Sequence, residues 1–199
     1  MATYPPAIAR LLDELTRLPG VGPKTAERYV FSLLRQSPQR LKDLADAITQ
    51  LRSRVVTCDT CHVFDEQSPC RFCRDEQRDK TTICVVAEAP DVLAVEQTGV
   101  FRGRYHVLGG TVSPADGRGP DDLTIKHLHE RLVSDGIQEV ILALNSDIEG
   151  ETTALYLKKA LKDVNAKVTQ LARGIPTGGD VTYMDEATLG EALSHRQTV

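Results

Sequence analysis

Four of the chain's five cysteines form two Cys-x2-Cys pairs separated by eight residues: Cys58, Cys61, Cys70 and Cys73. Two such pairs can bring four thiolates to the corners of a tetrahedron, the arrangement that structural zinc prefers. Disulfides or unrelated buried thiols are the alternatives. The segment is poor in apolar residues and needs another source of folding energy, which favours metal. The spacing predicts one structural zinc per chain, with no position left for a hydrolytic water.

Two nearby residues could take part in the same chemistry. His62 is a possible spare ligand, although we expect a residue beside a ligating cysteine to be exposed. Cys84 lies in a predicted strand, and we expect it to pack as a small apolar side chain.

The 199 residues are 41% hydrophobic, which excludes a disordered chain and suffices for one large domain or two small ones. The net charge of −4 argues against a protein that coats nucleic acid. The charge is unevenly spread, however. Residues 1–57 carry nine Lys or Arg against five Asp or Glu, whereas residues 58–199 carry 15 against 23. The basic charge is therefore concentrated at the amino end.

Nothing in the sequence indicates a membrane or an export signal. No purely apolar run exceeds five residues, far short of the roughly 18–20 that span a bilayer. The first residues include acidic groups where a signal peptide has an apolar core, so we expect a cytoplasmic protein. A reducing compartment disfavours disulfides and favours metal binding by the paired cysteines.

Apolar residues recur at helical spacing in three amino-terminal segments. The first predicted helix follows Pro5 and ends before Pro19, the second runs from Pro23 to about Arg35, and the third follows Pro38. On the second helix, the residues that we expect to be buried share one face: Ala26, Val30, Leu33 and Leu34.

From residue 82 onward, short β-rich runs alternate with helical patterns, as is typical of a mostly parallel sheet covered by helices. The predicted strands lie near 83–87, 105–108, 140–144 and 167–171. The predicted helices lie near 91–99, 121–135 and 149–163. Between the second strand and its helix, residues 109–120 form a long, turn-rich loop of a kind that often has a functional role.

The turn between the first two helices contains Gly20 and Gly22, which allow backbone N–H groups to approach an anion at a helix amino terminus. At 100° per residue, Lys24, Arg28 and Arg35 share a face opposite the apolar one. An ordinary solvated face is the alternative, but the local excess of basic charge favours phosphate binding without base readout. The string LPGVGPKTAERYVFSLL resembles a helix-hairpin-helix motif, which in most proteins binds DNA without sequence specificity.

An acidic run, NSDIEGE, follows the predicted strand at 140–144 and opens the next helix. Carboxylates at the carboxyl end of a parallel strand lie where open α/β sheets bind ligands, and they could hold Mg²⁺. The run resembles the second half of a Toprim site, in which an Asp-x-Asp pair is followed by Glu-Gly-Glu. The string ICVVAEAPD resembles the first half, in which a Glu ends an earlier strand.

In this alignment, Ala87 takes the place of the catalytic Glu and Asn145 that of the first Asp, so two central carboxylates are missing. Glu88 can substitute only if the strand has already ended, because a slip of one residue turns a side chain to the other face. Two-metal phosphoryl transfer then lacks its base and its full set of ligands. We interpret these two positions, with Glu88, Asp147 and Glu149, as a degenerate Toprim site in a domain that is not an enzyme.

The order of these parts, followed by GIPTGG and YMDEATL, resembles the RecR family of bacterial recombination mediators over essentially the whole chain. Strings such as EQTG, GRYHVL and SPADGRGPDD support the resemblance. We therefore expect an α+β protein of several parts: a helix-hairpin-helix head at 1–56, a four-cysteine zinc finger at 57–80, a Toprim-like α/β domain with a mostly parallel sheet at 81–172, and a carboxyl-terminal helical oligomerisation segment at 173–199.

The resemblance also implies partners. Members of the family form rings, usually tetramers that can surround DNA, and work with RecO, often with RecF, to load RecA onto single strands coated by single-strand-binding protein. A ring repeats each weak basic patch and so raises its effective concentration on DNA. One alternative is a metal-dependent Toprim nuclease or primase-like enzyme, which would carry Glu at position 87 and Asp at position 145. Another is a zinc-dependent adaptor in which the face of Lys24 and Arg28 is idle.

Overall fold

The structure is a computed structural model that describes residues 4–196. The chain divides into two units, Met1–Arg54 and Val55–Val199. The first unit contains three helices: α1 (Pro6–Thr16), α2 (Pro23–Leu33) and α3 (Pro38–Arg54). Each begins at a proline, which suits the first helical position because an N–H there would have no partner within the helix. The three helices predicted from apolar spacing are confirmed.

The apolar face of α2 packs against α1. Ala26 and Val30 are buried and Leu33 is half-buried, as the periodicity predicts. The prediction for Leu34 is wrong, because its side chain is 59% exposed. It follows the last residue of α2 and lies about 80° around the helix axis from Ala26, at the margin of the apolar face.

The second unit holds the remaining elements. Its strands are β1 (Val56–Thr57), β2 (Phe64–Asp65), β3 (Thr82–Val86), β4 (Arg104–Val107), β5 (Glu139–Ala143) and β6 (Lys167–Gln170). Its helices are α4 (Arg71–Arg74), α5 (Ala89–Gln97), α6 (Ile125–Ser134), α7 (Ile148–Ala160) and α8 (Glu186–Ser194). Within residues 4–196, no helix is both long enough and apolar enough to cross a bilayer.

Four strands form a parallel sheet in the order β4-β3-β5-β6, which confirms the predicted architecture. Cys84, at the centre of β3, pairs with Tyr105 of β4 and with Ile141 of β5. The helix predicted near 121–135 begins only at Ile125, because Pro120–Asp122 form a 3-10 turn before it.

Two apolar cores cover the two faces of the sheet. One lies under α6 and α7 and includes Ile83 and Val85, whereas the other lies under α5 and the cysteine segment and includes Cys84 and Val86. Cys84 therefore packs as a small apolar residue, as predicted, and burial raises the pKa of its thiol to about 12. The chain leaves β3 and β5 towards opposite faces, which creates a crevice at their carboxyl ends.

Candidate functional site

The four paired cysteines converge in the second unit. Their sulfur atoms all lie within 4.8 Å of one another, with Cys61 Sγ 3.3 Å from Cys70 Sγ and Cys58 Sγ 3.9 Å from Cys73 Sγ. A zinc ion about 2.3 Å from four sulfurs at tetrahedral corners would separate them by about 3.8 Å. A disulfide bond would need about 2.05 Å, and all four thiols are free. The donor set therefore fits a four-coordinate metal ion.

Backbone N–H groups of the two turns point towards the sulfurs. The Cys70 N–H donates to Cys58 Sγ at 3.3 Å. Burial raises the pKa of Cys58, but the N–H groups of Cys70 and Cys61 lower that pKa by more, so it lies below its usual value. The Cys61 thiol likewise lowers the pKa of Cys70. Hydrogen bonding to Cys70 and burial instead raise the pKa of Cys61, so in the absence of a cation the negative charge is favoured on Cys58 and Cys70. A metal cation favours the thiolate form of all four.

The cysteine segment shares a core with the parallel sheet. The Val107 N–H donates to the Cys61 carbonyl at 2.8 Å, which ties the first cysteine pair to the end of β4. The Phe72 ring packs edge-on against the buried ring of Tyr105, with centroids 5.4 Å apart. The geometry of the four-cysteine cluster and the packing of the sheet are therefore coupled.

Arg78 also links the cysteine segment to the sheet, and nothing in the sequence indicated this role. Its guanidinium lies 5.0 Å from the centroid of the Phe72 ring, donates to Gly103 O at 2.9 Å and pairs with Glu96 at 2.7 Å. Glu96 also accepts a hydrogen bond from the Tyr105 hydroxyl at 2.5 Å. Burial raises the pKa of the Glu96 carboxyl, but the Arg78 and Tyr105 donors lower it by more, so the carboxylate form is favoured.

His62 is half-buried, and the expectation of an exposed side chain is wrong. Its Nε2 lies 2.7 Å from Nδ1 of His127, and its ring packs edge-on against buried His106. His62 adopts a φ of +62°, which turns the chain sharply after Cys61. The four-cysteine group does not include His62. No local pattern links it to a residue 65 positions away.

The glycine turn precedes the basic face of α2. Gly20 has a φ of +77°, a conformation that glycine adopts without strain, and Gly22 is the N-cap of α2. Lys24, Arg28 and Arg35 are all exposed, and within residues 4–196 none of them forms an ion pair. Three cations and a helix amino terminus are thus available to an anion on this unit.

The residues that we align with a Toprim site lie after the ends of β3 and β5. Ala87 follows β3 and is 6% exposed within the apolar core, whereas Asn145 is exposed after β5. Glu88 lies beyond the end of β3, where it is exposed as the N-cap of α5. The strand has therefore ended before Glu88, so strand alternation does not fix the direction of its side chain.

The remaining carboxylates of the run contact other parts of the protein. Asp147 caps α7 by accepting from the Gly150 N–H at 2.7 Å. Glu149 accepts hydrogen bonds from Thr111 and Ser113, each at 2.8 Å, and these donors lower the pKa of its carboxyl. The structure thereby ties the loop at 109–120 to α7, a contact that sequence reasoning missed.

Gly150 allows the close approach of α7 to the end of β5. A Cβ atom at this position would lie 2.1 Å from the Asn145 carbonyl oxygen. We expect Gly150→Ala to lower the free energy of unfolding by about 1–3 kcal/mol, as measured by urea denaturation. Gly190→Ala in α8 is the control, because a Cβ there meets nothing within 4 Å and gains up to about 1 kcal/mol of helix propensity. Equal effects of the two changes would contradict this reasoning.

Comparison with known proteins adds an independent observation. Residues 8–52 match the family model for the RecR helix-hairpin-helix, residues 81–172 that for the Toprim domain, and residues 174–197 that for the RecR carboxyl-terminal region. The chain is 50% identical over 194 residues to the recombination protein RecR of Paenarthrobacter aurescens, with 98% of both chains covered. The chain belongs to the RecR family.

Two further RecR proteins are equally similar. Recombination protein RecR of Moorella thermoacetica is 50% identical over 193 residues, with 97% of both chains covered. That of Thermobifida fusca is 50% identical over 196 residues, with 98% of both chains covered. The helix-hairpin-helix, the four-cysteine cluster and the Toprim fold thus occur here in a RecR chain, which makes it a recombination protein.

Proposed function

We propose that this RecR-family chain is a DNA-binding recombination mediator that performs no catalysis. It binds DNA without sequence specificity, assembles as a tetrameric ring that closes around DNA, and works with RecO, and with RecF where present, to load RecA on single strands in the cytoplasm. The observation that carries the proposal is the basic face of α2 beside the glycine turn, whose cations form no ion pair within residues 4–196, in a chain about half identical to RecR proteins.

Each part of the chain has a separate role in this function. Residues 1–56 bind phosphates through Gly20, Gly22, Lys24, Arg28 and Arg35. Residues 57–80 fold around one structural zinc, which supplies folding energy when bound and no open coordination position. Residues 81–172 form the Toprim-like scaffold, and residues 173–199 contribute to oligomerisation.

Mass measurement in solution combined with a RecO pull-down tests this assignment. We expect a mass of about four chains, and retention of RecO by the immobilised protein. A basic patch repeated in a ring binds DNA more tightly than one copy, because the first contact raises the local concentration of the others. A mass of one chain in solution contradicts the ring clamp, and failure to retain RecO contradicts the role as a mediator that works with RecO.

Absence of catalysis is a separate prediction. With Mg²⁺ or Mn²⁺, we expect no cleavage, relaxation or priming of DNA, because Ala87 and Asn145 stand where Toprim chemistry uses carboxylates. Asp147 and Glu149 already serve as a helix cap and a loop anchor. The measurement is a gel assay of supercoiled and single-stranded DNA. Metal-dependent turnover that disappears in the variant Asp147→Ala would favour the enzyme alternative.

A further inference from the structure

A groove of about 430 Å³ lies where the cysteine segment meets the carboxyl ends of β3 and β4. The cysteine segment forms one wall and the starts of α5 and α6 form the other. The residues that define it include Thr57, His62, Phe64, Glu88, Pro90 and Thr124. Its volume falls within the range of roughly 300–1,000 Å³ typical of ligand sites.

One backbone hydrogen bond joins the two walls of the groove, and two further hydrogen bonds fix the wall formed by the sheet and the starts of α5 and α6. Val107 N–H donates to Cys61 O at 2.8 Å, and Gly109 N–H donates to Ala87 O at 3.0 Å. The Thr124 hydroxyl also donates to Val107 O at 2.8 Å. Because these bonds fix both walls, a ligand can enter without first ordering the groove, which reduces the entropic cost of binding.

Most of the surface that lines the groove is apolar, although Thr57, His62, Glu88 and Thr124 also line it. Phe64 is 59% exposed, which is unusual for a large aromatic side chain in a chain that contains only four phenylalanines. An aromatic ring beside a preformed groove is the type of residue that dominates the energetics of protein interfaces. The groove therefore suits an apolar or aromatic side chain from a partner.

The charge around the groove indicates whether its partner is a protein or a nucleic acid. Glu88 is exposed and forms no ion pair among the described residues. No Lys or Arg is among the residues that line the groove. Residues 58–199 carry 15 basic against 23 acidic residues, so the surrounding unit is acidic. Phosphates are repelled by such a site, whereas Lys or Arg beside an apolar residue is attracted to it.

We infer that this groove binds a short segment of a partner protein, in which an apolar or aromatic anchor beside Phe64 is flanked by Lys or Arg that pair with Glu88. The inference goes beyond the DNA clamp and does not depend on it, because Lys24 and Arg28 belong to the other unit of the chain. Glu88, which follows the position that we align with the catalytic Glu of a Toprim site, thus takes part in partner recognition.

The test uses fluorescence polarisation of a labelled peptide, KRFLRK, with the full-length protein. The peptide should bind, and the charge-reversed EDFLDE and the anchor-free KRGSRK should bind at least about tenfold more weakly. Phe64→Ala should weaken binding of KRFLRK about tenfold and Glu88→Gln about threefold. Leu93→Ala and Glu66→Gln are matched controls, since both residues are exposed and lie outside the groove.

Several outcomes would overturn the inference. KRFLRK could fail to bind at millimolar protein, or the charge-reversed peptide could bind equally well. The affinity of KRFLRK could be unchanged in both Phe64→Ala and Glu88→Gln, or oligo(dT) could displace it. Glu88→Gln keeps the test decisive if Phe64→Ala disturbs folding. The variant Lys24→Ala, Arg28→Ala should keep peptide binding, so that failure of the groove and failure of the DNA clamp are distinguishable.

Discussion

Cys70→Ser should abolish the proposed zinc binding and lower the free energy of unfolding of the second unit by more than about 4 kcal/mol. The effect is large because the cluster is also part of the core over β3 and β4, where Cys58, Cys61 and Cys70 pack with Val86 and Tyr105. Loss of the metal therefore leaves buried thiols without a cation and loosens the sheet. Metal analysis and urea denaturation monitored by circular dichroism measure the two effects.

Cys84→Ser is the matched control for this prediction. Cys84 is as buried as the ligands and lies in the same core, but its sulfur is outside the cluster. We expect it to lower stability while zinc content stays at one per chain. His62→Ala should also retain the zinc, because the His62 ring contacts His127 instead. If Cys70→Ser keeps one zinc per chain, the metal site is wrongly assigned.

The parts of the fold that the sequence predicts are those that depend on local spacing. The cysteines within each pair are close because each pair spans only four residues. The parallel sheet is predicted because short strand-like runs alternate with segments of helical periodicity. Prolines at Pro6, Pro23 and Pro38 begin the helices where the pattern places them.

The features that the sequence did not predict join residues far apart in the chain. Glu149 meets Thr111 across 38 positions, and His62 meets His127 across 65. Arg78 meets Glu96 across 18 positions, beside the Phe72 ring that the cysteine segment packs on the sheet. Periodicity identifies the buried face of one element but not which side chain of another element it meets.

The contacts of the acidic run are consistent with the structural role that we propose for it. In a two-metal site the carboxylates must be free to bind cations. Here Asp147 caps a helix, Glu149 anchors a loop, and Glu151 pairs with Arg173. Each of these three carboxylates thus contacts another part of the protein, which favours a structural role for the acidic run over a catalytic one.

The double variant Lys24→Ala, Arg28→Ala should weaken DNA binding whatever the base sequence. The two cations lie one turn apart on α2, just after the glycine turn, so they can reach adjacent phosphates. Release of one counterion into about 0.1 M salt contributes roughly one decade of affinity, so loss of both contacts should cost roughly 100-fold. The slope of log affinity against log salt should flatten by about 0.7–0.9 per lost contact in every subunit that touches DNA.

Fluorescence anisotropy of labelled single-stranded and duplex DNA at several salt concentrations measures both quantities. Arg10→Ala, Arg17→Ala is the matched control, since it removes the same charge from α1 and its C-cap residue, Arg17, which already pairs with Asp13. Folding of the test variant should survive, because Lys24 and Arg28 lie opposite buried Ala26 and Val30, so zinc content and oligomer mass should not change. Normal DNA affinity with the original salt slope would mean that the hairpin is architectural and that another surface holds the DNA.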